Sequence, residues 1–201
     1  MSLKDMTVLT PNPINLLRLK GSDVLGRYYT CDEVSDFLIE QMGTFAPAGV
    51  IDLGSGGGAL SLAAMAKWQE AQFVTVDVDE YAQARLGAAV KELSSVLRHR
   101  HVSADALRTD LPDILLSPDA QIDAGVCNPP FITPKWKADY GAILEDAGLS
   151  CCLPILSSVD AAALFLAQNL RILRDGGKLG IILPDTLVSS IKYKKFRQQI
   201  L

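Results

Sequence analysis

A doubly wound α/β domain with a mostly parallel sheet is the fold class this sequence predicts, and three observations predict it. Short β-branched runs alternate with helix-like stretches of ten or more residues, as parallel crossovers require. A glycine cluster, Gly54-Ser55-Gly56-Gly57-Gly58, separates the first clear strand from the helix after it. The 201-residue chain is 49% apolar and 21% charged, enough for one large core.

Residues 1–25 contain Pro11 and Pro13 and lack clean periodicity, so they read as an irregular arm with one short helix at Ile14–Leu19. The main domain is placed at 26–201. Thr30 with Glu33 three residues on forms a capping-box pattern, and Val34, Phe37, Leu38 and Met42 follow at helical spacing. Gly43 and Pro47 stop that helix. Gly49–Leu53 is the first strand and Ala59–Trp68 the helix behind the glycine turn; Phe73–Asp77 and Glu80–Leu97 repeat the pair. A weaker strand lies at His101–Ser103, another at Ile122–Cys127, a helix at Ala161–Leu173 and a fifth strand at Lys178–Leu183.

Composition excludes several classes. No apolar run approaches the roughly 18 residues of a membrane span, and the N-terminus lacks a signal-peptide layout, so the expected setting is the cytoplasm without a membrane partner. A net charge of -4 argues against gripping nucleic acid by bulk charge alone. Cys31, Cys127, Cys151 and Cys152 form no C-x-x-C pair, and with only His99 and His101 nearby no metal site is expected.

In such sheets ligands sit beyond the carboxyl ends of the strands, so the residues just after each strand carry the chemistry. Gly54 and Gly56 allow a ligand to touch backbone. Their spacing also fits a dinucleotide fingerprint, but Asp52 at the strand end would repel a pyrophosphate and suits an ammonium or sulfonium group. Asp77, with Val78 after it, ends the second strand, where a carboxylate can accept both ribose hydroxyls. Asp105, with Ala106, follows the third and can accept from an adenine amine. The plainer alternative is that Asp77 and Asp79 cap a helix and Asp105 is a solvated turn acid.

Asn128-Pro129-Pro130-Phe131 follows the fourth strand directly. Two prolines stiffen the backbone and remove two donors, leaving carbonyls beside an amide and a ring. An amine conjugated to an aromatic ring is a poor nucleophile. Acceptors at the Asn128 side-chain oxygen and the Pro129 carbonyl can hold its two hydrogens and turn its lone pair outward, with Phe131 stacked on the base.

The segment from Asp52 to Gly58 resembles motif I of class I S-adenosylmethionine-dependent methyltransferases, and Asp77 their ribose-binding acid. Residues 128–131 resemble motif IV of the enzymes that methylate adenine N6, cytosine N4 or a glutamine amide. Gly26-Arg27-Tyr28-Tyr29-Thr30 resembles motif X of the γ-class adenine-N6 DNA methyltransferases, including modification subunits of type I restriction systems; Cys31 stands where that motif usually has proline. The resemblance implies S-adenosyl-L-methionine as cofactor, with Tyr28 and Thr30 at its methionine end, and a Rossmann-like sheet lacking its last two strands in this chain. It further implies double-stranded DNA with a flipped adenine as partner, and sequence selection by a specificity domain or subunit outside this chain. Alternatives are a glutamine amide, for which about 48 residues before motif I leave little room for the usual helical domain, an RNA base amine, a non-catalytic cofactor-binding subunit, and an NAD-dependent dehydrogenase. Lys135, Lys137, Lys192, Lys194, Lys195 and Arg197 are phosphate-contact candidates or plain solvated and helix-end charges.

Overall fold

Among the described residues, five of the six strands lie where hydrophobic periodicity put them. The computed structural model describes residues 6–9, 30–93, 98–116, 121–150 and 159–200. The strands are β1 (Met6–Leu9), β2 (Gly49–Leu53), β3 (Gln72–Asp77), β4 (Arg98–Ser103), β5 (Ala124–Cys127) and β6 (Lys178–Ile182). They form one sheet in the order β1-β6-β5-β2-β3-β4, parallel at every pairing. The helices are α1 (Asp32–Gln41), α2 (Ala59–Lys67), α3 (Ala82–Leu93), α4 (Leu111–Leu115), α5 (Ala138–Asp146), α6 (Ala161–Ile172), α7 (Asp185–Ser189) and α8 (Lys194–Ile200).

From β2 the chain builds outward through β3 to β4, then returns to place β5 on the other side of β2. The order therefore reverses between β2 and β5, and the crevice beyond their carboxyl ends is where a parallel sheet binds ligand. Every residue of β2 and of β5 is buried, as central strands covered on both faces require. Alternation along β2 divides the core. Ile51 and Leu53 pack with α4, α5 and α6, while Val50 packs with α1, α2 and α3.

Three expectations need correction. The stretch 1–25, read as irregular, contains β1, which pairs with β6 from Met6 opposite Leu179 to Leu9 opposite Ile182; the helix expected at 14–19 lies outside the described residues. Thr30 does not cap α1: Cys31 is the N-cap residue and no side chain there bonds a helix N–H. Residues 132–158, where periodicity placed no helix or strand, carry α5, whose Tyr140, Ile143 and Leu144 are buried against α6. Arg171 on α6 fastens that unit by donating to Asp146 Oδ2 and to the Thr109 carbonyl, each at 2.9 Å. Among the described residues no helix is long and apolar enough to cross a membrane.

One buried acid holds the amino ends of the central strands together. Asp123, 4% exposed, accepts from the Ala48 and Gly49 N–H groups through Oδ2 and pairs with Arg174. Asp123→Ala leaves the buried Gly49 N–H and the more exposed Ala48 N–H without their acceptor. We expect a loss of about 2–4 kcal/mol of stability, read from urea unfolding midpoints. An unchanged midpoint would show that water replaces the carboxylate there.

Candidate active site

The turn after β2 is built by glycine. Gly54, Gly56 and Gly58 adopt φ of +75°, +51° and +87°, a region side chains rarely enter. At Gly54 space is also short: a Cβ would lie 3.2 Å from the Phe165 ring of α6. Gly54 and Ser55 donate their N–H groups to the Val76 carbonyl at 2.8 and 3.1 Å, which folds the turn over the end of β3. Gly56 N–H donates to Asp77 Oδ2 at 2.6 Å. A pyrophosphate would compete with that carboxylate for the turn's donors and be repelled by it, so the dinucleotide reading does not fit this turn.

Asp52 is 3% exposed and points to the α2 face, where Ser61 Oγ donates to its Oδ2 at 2.5 Å. Its Oδ1 is buried with no hydrogen-bond partner among the described residues. Burial pushes its carboxyl up to about 7, opposed by the Ser61 bond and reinforced by the nearby Asp77 charge. A buried, half-satisfied carboxylate is costly unless a ligand completes it, and a cationic donor does so best. The Ser55 hydroxyl is likewise buried without a partner among the described residues. Asp77, 5% exposed, also accepts from Asp79 N–H at 2.8 Å, so it serves the turn and the start of the next segment together.

Val78 is exposed at the rim. Asp105 Oδ1 accepts from Leu107 N–H at 2.9 Å, and its Oδ2 faces Lys137 Nζ at 3.3 Å. Ala106 is buried because Gln168, fully enclosed on α6, donates to its carbonyl at 2.9 Å and to that of Arg108 at 2.8 Å. Lys137 is thus engaged by Asp105, and Arg197 Nη1 donates to the Leu187 and Ser190 carbonyls, closing the end of α7.

Beyond β5, Asn128 is half-buried and its Nδ2 donates to Thr30 Oγ1 at 2.9 Å. This explains why Thr30 leaves the helix end uncapped: an exposed helix N-terminus is solvated by water, whereas a half-buried amide needs a partner from the protein. Pro129 is buried and Phe131 half-buried, and neither lines the crevice, whereas Pro130 does.

The two strand ends open onto one cavity of about 590 Å3. Thr30, Asp52, Gly54, Gly56, Asp77, Val78, Asp105 and Ala106 line it together with Asn128 and Pro130. Tyr28 lies outside the described residues. Periodicity alone did not reveal Tyr140 of α5 or Ala161 and Phe165 of α6, which form the cavity's opposite wall. Phe165 looked like one more core position; the signal that distinguishes it is the glycine it faces. The chamber joins a cation acceptor and a glycine turn to an amide on a rigid proline platform. It can hold an amino-acid ammonium and a nucleoside at one end and present an amine to them from the other.

The sequence model of one family, the methyltransferase small domain, matches residues 27–147. The chain is 24% identical over 212 aligned positions to the Type II methyltransferase M.BsuBI of Bacillus subtilis, covering 98% of this chain and 40% of that one. It is 27% identical over 130 positions to the tRNA1(Val) (adenine(37)-N6)-methyltransferase of Vibrio parahaemolyticus, covering 60% and 52% respectively. Among solved structures, the type I restriction-modification system methyltransferase subunit of Streptococcus thermophilus superposes with a TM-score of 0.66 at 21% identity, over 86% of this chain and 38% of that one. This chain spans about two fifths of the length of the Bacillus enzyme.

Proposed function

Because this chain belongs to the methyltransferase small-domain family, we propose that it transfers the methyl group of S-adenosylmethionine to the exocyclic N6 of an adenine flipped out of DNA. S-adenosylmethionine supplies a methyl already activated on a cationic sulfur. The observation that carries the reading is the single cavity lined by both the Gly54 turn and Asn128. Asp52 takes the ammonium of the methionine part, Asp77 the ribose hydroxyls, and Asp105 with Ala106 borders the adenine. Thr30 closes the methionine end. Val78 forms the outer rim.

The target amine enters from the β5 side. Asn128 Oδ1 accepts one of its hydrogens and the Pro129 carbonyl, brought to the cavity as the base binds, the other, which draws the lone pair out of the ring and aims it along the line of transfer. The nitrogen forms the new bond to carbon, the carbon–sulfur pair stays with sulfur, and the surplus N–H proton leaves to water. Pro130 walls the base. Phe131 stacks on it after turning toward the cavity mouth. A base inside a duplex cannot reach this depth, so the substrate strand must present it extruded. Sequence selection falls to a domain or subunit beyond this chain, consistent with its net charge of -4.

DNA is favoured over RNA because the match to the Type II enzyme runs through 98% of this chain, while the match to the tRNA enzyme covers 60%. An adenine in tRNA is the second reading, with the same residues in the same roles. Tritiated S-adenosylmethionine offered with mixed-sequence duplex DNA and with bulk tRNA separates them. Label recovered as N6-methyladenine in DNA is the expected result; label confined to tRNA would transfer the account to RNA.

A further inference from the structure

A side-chain contact spans the cavity between its amino-terminal and motif-IV-like walls: the Asn128 Nδ2 to Thr30 Oγ1 bond at 2.9 Å, between residues 98 positions apart. We propose that Thr30 is a positioning residue for the transfer, setting which end of the Asn128 amide meets the substrate amine. The inference rests on Asn128 acting on that amine. An amide's oxygen and nitrogen ends are nearly the same size, so packing alone does not choose between them and hydrogen bonds must. The choice is decisive here, because an amine arriving with two N–H donors is held by an oxygen and opposed by an NH2.

Thr30 is well placed to impose it. It sits immediately before the rigid start of α1, whose Leu38, Ile39 and Met42 are buried against the sheet, so the hydroxyl has a fixed origin. Asn128 is anchored from the other side by β5 and by the buried Pro129. With both backbones held, the bond keeps the amide in the arrangement seen here, Nδ2 on the Thr30 hydroxyl and Oδ1 at the opposite end. Both residues line the cavity, so the bond lies where it acts on a bound base rather than in the distant core.

Thr30→Val keeps the shape and removes the acceptor; Thr30→Ser keeps the acceptor. In the full-length protein with saturating cofactor and target DNA, Thr30→Val should lower kcat about 10- to 100-fold with the KM for DNA within about threefold, while the weaker S-adenosylhomocysteine affinity expected because Thr30 also closes the methionine end is offset by saturation. Thr30→Ser should recover kcat to within about threefold. The double variant with Asn128→Ala should be no slower than Asn128→Ala alone, because Thr30 acts through that amide. A Thr30→Val enzyme with wild-type kcat, or one that loses only cofactor affinity, overturns the proposal, as does a double variant much slower than Asn128→Ala. If Asn128→Ala itself transfers at the wild-type rate, the amine-holding role of Asn128 falls first, and that outcome is distinguishable because it needs no Thr30 variant.

Discussion

Asn128→Ala is expected to lower single-turnover methyl transfer by about 100- to 1000-fold, the usual cost of removing one preorganised polar group from a site of charge development. Affinity for S-adenosylhomocysteine should change by less than about threefold. The separation follows from the architecture: Asn128 stands at the end of β5, whereas the acids assigned to the cofactor stand at the ends of β2 and β3 and after β4. The thermal midpoint should hardly move, since Asn128 is half-buried and its bond to Thr30 joins two residues that line the cavity. Asn128→Asp should keep part of the rate. A carboxylate still accepts from the amine, and the Thr30 hydroxyl can reverse its role and donate. Equal transfer by wild type and Asn128→Ala would remove the amide from the chemistry and leave the proline platform without a purpose.

The second large effect belongs to Asp52. Its Oδ1 is buried with no partner among the described residues, and a cationic ligand would give it one. Asp52→Asn should weaken binding of S-adenosylhomocysteine about 10- to 100-fold, the range of a charge-assisted bond of roughly 1.5–3 kcal/mol. A pH signature accompanies it. In the ligand-free protein burial lifts the Asp52 carboxyl from the ordinary 3.8 to about 7. The folded state therefore holds a proton that the unfolded state has released across that interval. Stability from this group is fully present below about 4 and is lost as the pH rises toward 7. Wild-type protein should lose stability between about pH 4 and pH 7, and Asp52→Asn should lose less. Ligand affinity runs the other way, because the ammonium needs the ionised form: wild-type affinity should fall as the pH drops from 8 to 6 and that of Asp52→Asn should stay flat. Parallel pH profiles for the two proteins would contradict the assignment.

Much of this was legible in the chain because it depends on backbone requirements that few residues meet. The Gly54 turn needs positive φ, the Asn-Pro-Pro-Phe cluster needs a strand end, and β5, like β2 apart from Asp52, is an apolar run because both its faces are covered. What escaped depends on tertiary partners. β4, expected only at His101–Ser103, starts three residues earlier: Arg98-His99-Arg100 carries almost no apolar signal and is held by pairing with β3 and by the Thr75 hydroxyl between His99 Nε2 at 2.9 Å and His101 Nδ1 at 2.8 Å. β1 is four residues long and exists by pairing with β6. α5 does carry a helical pattern in Tyr140, Ile143 and Leu144, but it is flanked by Pro134 and charged residues that suggest a loop. Thr30 looked like a helix cap because capping is local and readable, whereas its actual partner is brought near only by the fold.

The central claim is that the ends of β2 and β5 share one crevice, so that donor methyl and acceptor amine meet in line. A crystal structure of the protein with S-adenosylhomocysteine tests it most directly. The account predicts the amino group on Asp52, the ribose on Asp77 and the sulfur facing Asn128 across a gap that admits a methyl and an amine nitrogen, wide enough for reacting atoms about 3–3.5 Å apart once the target base is also bound. The ligand seated on another surface, or its sulfur turned away from Asn128, would contradict it.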